Sequence, residues 1–325
     1  MSTETIKEIV LPTRQESLRE AYGEILAEIG QEDSRIVVLD ADLSCSTKTA
    51  TFAKKFPQRF FNMGVAEQDM VGTAAGLAIG GKIPFASTFA IFQTGRAWEQ
   101  IRQAICYPKT NVKLVASHAG ITVGEDGASH HCIEDLALMR VLPGMTVIVP
   151  ADANETRGAI KAAVKYKGPV YIRLARDKFP VIYEKNHLFT IGKGDRLVEG
   201  GDAAIIATGL MVSAALEAAY ALLKQGIEIS VVNISTIKPL DKELIISLAA
   251  ECGAIVSAEE HSYIGGLGSA VAEVLSEERP TPLIRIGMPD RYAFSGKPQQ
   301  LLEYFGLTAA NLEKAVKQVI KKKKL

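Results

Sequence analysis

Two stretches carry residue types that could do chemistry. In FFNMGVAEQDMVGTAAGLAIGG (Phe60–Gly81), Glu67 heads a predicted helix of small apolar residues, among them Gly72, Ala74, Ala75, Gly76 and Ala78. Small side chains there let another backbone or a ligand come close. A carboxylate at that position has an ordinary role, complementing the positive end of the helix dipole. It also has a functional one: a carboxyl in a dry site keeps its proton and can donate a hydrogen bond. Spacing alone leaves both open. In SHAGITVGEDGASHH (Ser117–His131), three of the five histidines, His118, His130 and His131, share a glycine-rich loop with Glu125 and Asp126. The loop follows a predicted strand, and loops at the carboxyl ends of parallel strands line the ligand crevice. Substrate hydrogen bonding by the imidazoles and Asp126 is the leading reading, with a structural loop beside it. Metal ligation is disfavoured, because no HExxH or comparable spacing occurs on one helix face.

Weaker signals carry less. GGLGSA (Gly265–Ala270) does not complete GxGxxG, because Val271 holds the last position, so tight helix packing is favoured. Asp40-Ala41-Asp42 fits a strand-end turn better than a metal site. Nothing near Cys45 or Cys132 argues for an activated thiolate.

Positioning these residues requires an α/β framework. Short Val- and Ile-rich runs at Ile36–Leu39, Ile83–Ser87, Val112–Ser117, Thr146–Val149 and Val170–Arg173 predict strands. Between them, helices are expected at Val65–Ile79, Arg96–Cys106, Glu134–Val141 and Asn154–Lys165, the last capped by Asp152 or Asn154. The pattern breaks over Asp177–Gly201, which reads as a linker. A second unit follows, with strands at Ala203–Ala207, Ile229–Val232, Ala254–Ala258 and Leu283–Ile286. Its helices are expected at Val212–Gln225, Lys242–Ala250, Leu267–Leu275 and Ala309–Ile320. The fold class is therefore α/β, two consecutive open domains with mostly parallel sheets. The closing run Lys321–Lys324 reads as a solvated helix end whose lysines suit the dipole.

Composition limits the function classes. At 325 residues, with 23% charged and 47% hydrophobic residues, the chain is neither disordered nor fibrous. Lys plus Arg and Asp plus Glu are both 37, so it lacks the basic surplus of a nucleic-acid or anionic-membrane binder. The N-terminal MSTETIKEIVLPTRQES has no apolar core of a secretory signal, and no apolar run approaches a membrane span. Four scattered cysteines without a CxxC pair favour a reducing compartment. The expected setting is the cytoplasm.

Taken together, these stretches resemble the C-terminal part of the transketolase family, thiamine-diphosphate enzymes, over nearly the whole chain. The landmarks, in order, are LPTRQ (Leu11–Gln15), DADLSCS (Asp40–Ser46), GVAEQDM (Gly64–Met70), STFAIF (Ser87–Phe92), SHAGITVGEDGASHH, ARDKFP (Ala175–Pro180), TIKPLD (Thr236–Asp241), EEHSYIGGLGSAVAE (Glu259–Glu273) and SGKP (Ser295–Pro298). The resemblance implies a pyrimidine-binding domain over residues 1–180, a linker over 181–200 and a transketolase C-terminal domain over 201–325. The family's GDG motif, which with a downstream Asn holds the cofactor's Mg²⁺-diphosphate, is absent: Gly194-Asp195 continues to Arg196 and Gly201-Asp202 to Ala203. The Mg²⁺ site is therefore expected on an N-terminal-section partner subunit. This chain would be the second subunit of a split transketolase, an α2β2 heterotetramer self-associating through the pyrimidine domain.

The resemblance also implies roles. Glu67 would hydrogen-bond the pyrimidine N1′ of thiamine diphosphate and activate the cofactor, with Phe89 and Phe92 as the aromatic wall around that ring. Asp42 would lie near the cofactor across the subunit boundary. Arg14, Ser46, His118 and Arg176 would hold a sugar phosphate, Asp126 a substrate hydroxyl, and His130 would lie near the reacting carbonyl. The reaction would move a two-carbon ketol unit from a ketose to an aldose, as in the pentose phosphate pathway. Departures occur at Ala128, Ser129, His131 and Cys132, and the region after Phe92 carries one extra residue, with Gly95-Arg96 where many members have an aromatic. The alternatives are a 1-deoxyxylulose-5-phosphate synthase-like chain, a 2-oxoacid dehydrogenase β-like subunit, or a non-catalytic partner. Glu125 and the arginines Arg14 and Arg176 favour transketolase over the first two. Glu67, Asp126 and His130 argue against the third.

Overall fold

The computed structural model describes Ile9 and residues 11–323. Most of the N-terminal stretch read for a leader, and Lys324 of the terminal lysine run, lie outside the described residues. In the first half the strands are β1 (Gln15–Ser17), β2 (Ile36–Asp40), β3 (Phe60–Asn62), β4 (Ile83–Phe89), β5 (Lys113–Ser117), β6 (Thr146–Ile148), β7 (Val170–Arg173) and β8 (Lys178–Pro180). The helices among them are α1 (Leu18–Glu32), α2 (Ser44–Thr47), α3 (Ala50–Lys55), α4 (Glu67–Ile79), α5 (Trp98–Gln100), α6 (Asp135–Arg140) and α7 (Ala153–Lys165). The second half adds β9 (Asp195–Val198), β10 (Ala203–Ala207), β11 (Ile229–Asn233), β12 (Thr236–Lys238), β13 (Ile255–Ser262) and β14 (Leu283–Met288). Its helices are α8 (Met211–Leu223), α9 (Lys242–Cys252), α10 (Leu267–Glu278), α11 (Pro298–Phe305) and α12 (Ala309–Lys323).

Two open sheets result, ordered β12-β6-β7-β5-β4-β2-β3 and β14-β13-β10-β11-β9. Every pairing in them is parallel except β12 with β6 and β11 with β9. Helices cover both faces, so central strands such as IVVLD (β2) and AAIIA (β10) are buried at every position. β12 belongs by sequence to the second unit yet extends the first sheet, so the two units share a sheet edge. Glu155, fully buried on α7, adds a polar tie across them: it accepts bonds from the Ala151 amide at 2.5 Å, the Asn233 side chain at 3.0 Å and the Ser235 hydroxyl.

The structure departs from the sequence expectations in several places. Helix α1 was not anticipated, although Ser17 caps it by accepting from the Glu20 amide, an S-x-x-E arrangement. Two internal glycines, Gly23 and Gly30, hide its amphipathic pattern. They are there because α1 packs so closely that a Cβ on Gly23 would lie 2.6 Å from the Lys48 carbonyl oxygen. The Arg96–Cys106 helix is broken: Phe92–Arg96 and Ile101–Cys106 wind as wide i to i+5 turns around the short α5. Wide turns absorb an extra residue without unwinding the helix. The Asp177–Gly201 stretch contains two strands, β8 paired antiparallel with β1, and β9 with β11. Their partners are distant in sequence, so no local period marks them. Of the two cap candidates for α7, Asp152 is the one that caps, accepting from the Glu155 amide at 2.7 Å.

Candidate active site

The carboxyl ends of β2, β4 and β5 meet along one crevice of the first sheet. Glu67 opens α4 at this edge and is 4% exposed. Its Oε1 accepts a 2.9 Å bond from Arg96, whose guanidinium lies 4.2 Å above the centre of the Phe92 ring. The wide turn after Phe92 therefore places Arg96 at the glutamate, a contact absent from the sequence reading. Phe89 and Phe92 stack with ring centres 5.7 Å apart. His118 stacks on Phe89 at 3.7 Å, and the His130 ring stands edge-on to Phe92 at 5.5 Å. One continuous wall thus joins Phe92, Phe89, His118 and His130 beside a buried carboxyl.

His118 also links this wall to a cluster of cations. It adopts a left-handed backbone (φ 56°), and its Nδ1 lies 2.9 Å from the Ser117 hydroxyl. Burial pushes its pKa down to about 3, and neighbouring Arg19, Arg176 and His130 push the same way. The imidazole is therefore neutral near pH 7 and can hydrogen-bond without adding charge. Arg176 donates to the Val123 carbonyl and approaches Asp126 Oδ2 at 3.4 Å. Arg19 donates to the Arg176 carbonyl through Nε and Nη2, at 3.0 and 2.7 Å, and to the Ser46 carbonyl at 2.7 Å. Burial first, then the adjacent Arg176, hold Arg19 below its ordinary pKa. A cavity of about 240 Å³ opens among Arg19, Arg176, Thr122 and Pro298, with the carboxylates Glu125 and Asp177 also on its wall. Two guanidiniums turned toward one cavity form a ready anion site.

Most of the residues singled out in the sequence are therefore brought together: Glu67, Phe89, Phe92, His118 and His130 on the wall, and Ser46, Asp126 and Arg176 at the cation cluster. Arg14 is not among them. Its side chain is 71% exposed and pairs with Glu16, which also binds Arg157. Arg19, five residues further on, is the arginine that lines the cavity beside Arg176. Residue spacing held no signal for Arg19, because both arginines lie near the β1–α1 junction and only the packing there decides which of them reaches the cavity. Asp42 is exposed and accepts a 2.9 Å bond from Asn62, outside both groups.

The secondary signals resolve into structure. Asp40 closes a strand-end turn, accepting from the Leu43 amide and from the hydroxyls of Thr47 and Thr49. The Gly265–Ala270 turn has its helix N-terminus filled by the chain itself, since Glu259 accepts from the amides of Leu267 and Gly268, both at 2.7 Å. The buried His131 ring meets the Gly124 carbonyl at 2.9 Å, so the three loop histidines have separate partners. Among the described residues, one trio is close enough to share a cation: Glu155, His187 and Asp195. Protein donors already occupy it, with Tyr183 donating to Asp195 and Asn233 to Glu155. A larger cleft, of about 540 Å³, lies near Arg140, Lys238 and Lys242. Its cations are engaged, Arg140 with Glu273 and Lys238 with the Arg140 and Leu142 carbonyls. Among the described residues no helix is long and apolar enough to cross a membrane.

The carboxyl edge of an open parallel sheet thus carries a buried helix-heading glutamate, an aromatic wall and an arginine-lined cavity. Residues 14–181 match the family model for the transketolase pyrimidine binding domain, and residues 192–312 that for the transketolase C-terminal domain. The chain belongs to the transketolase family. It is 52% identical over 308 residues to the "Putative transketolase C-terminal section" of Methanocaldococcus jannaschii, covering 94% of this chain and 96% of that one. It is 45% identical to the 6-deoxy-6-sulfo-D-fructose transketolase subunit SqwH of Clostridium sp. strain MSTE9, covering 94% and 95%. A solved structure described as a split gene transketolase, inactive beta4 tetramer, superposes with a TM-score of 0.89 at 56% identity, covering 94% of this chain and 98% of that one.

Proposed function

We propose that the chain is the second subunit of a split, thiamine-diphosphate-dependent transketolase that moves a two-carbon ketol unit between sugars carrying an anionic end. The observation that carries the reading is the pairing of buried Glu67 and its aromatic wall with the arginine-lined cavity, joined through His118. The donor set fits the cofactor's aminopyrimidine ring: a carboxyl shielded from water for a ring nitrogen, and two phenyl rings for its face. Arg96 engages Oε1 of Glu67, and Oε2 would take the ring nitrogen. When bound, the cofactor would supply the electron sink needed while a ketose C2–C3 bond breaks. Mg²⁺ and the diphosphate would be held mainly by the N-terminal-section partner, with Asp42 facing that subunit.

The chain's own residues would then divide the work. Glu67 hydrogen-bonds the pyrimidine nitrogen, and its burial keeps water from competing for that bond. Phe89 and Phe92 bind and orient the ring. Neutral His118, Asp126 and His130 accept or donate hydrogen bonds along the sugar, His130 nearest the carbonyl. Arg19, Arg176 and Ser46 bind the anionic terminus. The name of the SqwH relative concerns a sulfonated sugar. A guanidinium cluster binds phosphate and sulfonate oxygens alike, so both are suitable ends for the substrate here.

The test is reconstitution. The purified chain alone should show no ketol transfer, and should gain it when mixed with its partner, thiamine diphosphate and Mg²⁺. Glu67→Gln should lower the reconstituted kcat by about 100-fold or more, the lower end of what positioned proton transfer supplies, with the complex still assembling. Full activity of the chain alone, or near-normal turnover of the glutamine variant, would refute the reading.

A further inference from the structure

The loop that carries Asp126 and His130 is shaped less by its own sheet than by the second unit. Ile121 and Ile133, one near each end of the loop, pack into the apolar cluster formed by β10, β11 and α8. Three consecutive residues at the end of β13 bond to three separate points between Gly120 and Ala137. Glu260 Oε1 accepts from the Thr122 amide at 2.7 Å. His261 Nε2 accepts from the Leu136 amide at 3.1 Å, while its Nδ1 donates to the Ser262 carbonyl at 2.7 Å. The Ser262 amide donates to the Ile133 carbonyl at 2.8 Å.

The glycines of the loop sit directly on this surface. A Cβ on Gly120 (φ 80°) would fall 2.2 Å from the Glu260 carboxyl carbon, so the backbone lies flat against that carboxylate. A Cβ on Gly127 (φ 75°) would meet the Ser295 hydroxyl at 2.5 Å, and one on Gly124 (φ 84°) would meet Pro298 at 3.2 Å. The left-handed angles and the absent side chains therefore have the same cause, contact with the second unit. Arg173 closes the seam, donating to the Glu260 carbonyl at 2.9 Å and the Cys132 carbonyl at 3.3 Å.

We propose that the second unit acts as the template for the substrate loop, and that Glu260 is a positioning residue that sets the loop by holding the Thr122 amide. The connection to the anion cavity is short. Thr122 lines that cavity, and the carbonyl of the next residue, Val123, accepts from the Arg176 guanidinium. Holding Thr122 thereby aims Val123, and Val123 aims Arg176. The significance for catalysis rests on the proposed function; the mechanical link does not.

The experiment follows amide hydrogen exchange in the full-length chain, and steady-state kinetics in the reconstituted enzyme, for Glu260→Gln and Glu260→Asp. Glutamine keeps an acceptor oxygen at the same reach without the charge, whereas aspartate keeps the charge and retracts it by one methylene. Positioning predicts near-normal Thr122 exchange for Glu260→Gln. For Glu260→Asp it predicts at least tenfold faster exchange at Thr122, with the Leu136 amide still protected. Glu260→Asp should also raise KM for the anionic sugar about tenfold while leaving thiamine diphosphate affinity unchanged. The reverse order, with Asp near normal and Gln impaired, would show that the charge matters and overturn the proposal. Equal loss of protection at Thr122 and Leu136 in both variants would reduce Glu260 to a fold-maintaining residue and overturn it too. Exchange is read without turnover, so an inactive reconstituted enzyme would count against the proposed function alone.

Discussion

Replacing Arg19 by methionine tests the anion cavity most directly. A guanidinium has five N–H donors. Three of those on Arg19 are used on the carbonyls of Arg176 and Ser46, which leaves two for a ligand. Among the described residues no carboxylate lies within ion-pair distance of Arg19, and burial together with Arg176 already lowers its pKa. Glu20 and Asp177 offset this only in part, since the net effect on Arg19 is still a lowered pKa. Losing a hydrogen bond to a charged group costs about 1.5–3 kcal/mol, which is roughly 10- to 150-fold in kcat/KM. That loss is expected for phosphorylated or sulfonated ketoses in the reconstituted enzyme, measured by coupled ketol transfer. A neutral ketose should lose far less. Arg14→Met should cost less than about fivefold with either substrate, since an exposed pair contributes at most about 1 kcal/mol. Lysine at position 19 should restore part of the activity, because it keeps the charge but lacks the fork that reaches both carbonyls. Equal losses for charged and neutral sugars, or a larger loss at Arg14 than at Arg19, would refute the assignment.

Two further predictions concern stability. Arg173→Leu should destabilise the chain by about 3–5 kcal/mol in urea unfolding, because Asp135, wholly buried, would lose its 2.8 Å partner; the double variant with Asp135→Asn should recover part of this, and a loss under about 1 kcal/mol would show that the pair is dispensable. Burial raises the Glu155 pKa from 4.5 to about 7. Between those values the native chain holds a proton that the unfolded chain has released, so stability falls as pH rises, by up to about 1.4 kcal/mol per pH unit. Glu155→Gln should flatten that slope in unfolding curves recorded across the window; an unchanged or steeper slope would mean the carboxyl is already ionised in the fold.

Legibility of the sequence depended on range. The strands Val170–Arg173 and Ala203–Ala207 were readable to the residue, because strands covered on both faces are apolar throughout. Helix α4 was readable from its small residues and its leading glutamate. Helix α1 was not, although its S-x-x-E cap lay in plain sight, because Gly23 and Gly30 broke the apolar period for reasons set by Lys48 and Phe52. The strands β8 and β9 were invisible for a related reason: their partners lie 161 or more positions away for the first, as in Ser17 with Lys178, and more than 30 for the second. In the site, the aromatic wall could be anticipated from motif order. The Arg96 contact with Glu67 could not, since it depends on a wide helical turn that adds a residue between Phe92 and Trp98.

What the sequence by itself determined was chemical inventory and order: a glutamate at the head of a small-residue helix, a histidine- and acid-bearing loop after a strand, the alternation of strands and helices, and the family those landmarks resemble. Tertiary structure alone decided which groups meet. It turned Arg19 inward and Arg14 toward Glu16, set Arg96 on Glu67, and pressed the substrate loop against Glu260. Backbone period fixes the face on which a side chain starts. Whether two such faces meet depends on how distant segments pack, and that is settled by the burial of the whole apolar surface together, with no trace in the spacing of the residues involved.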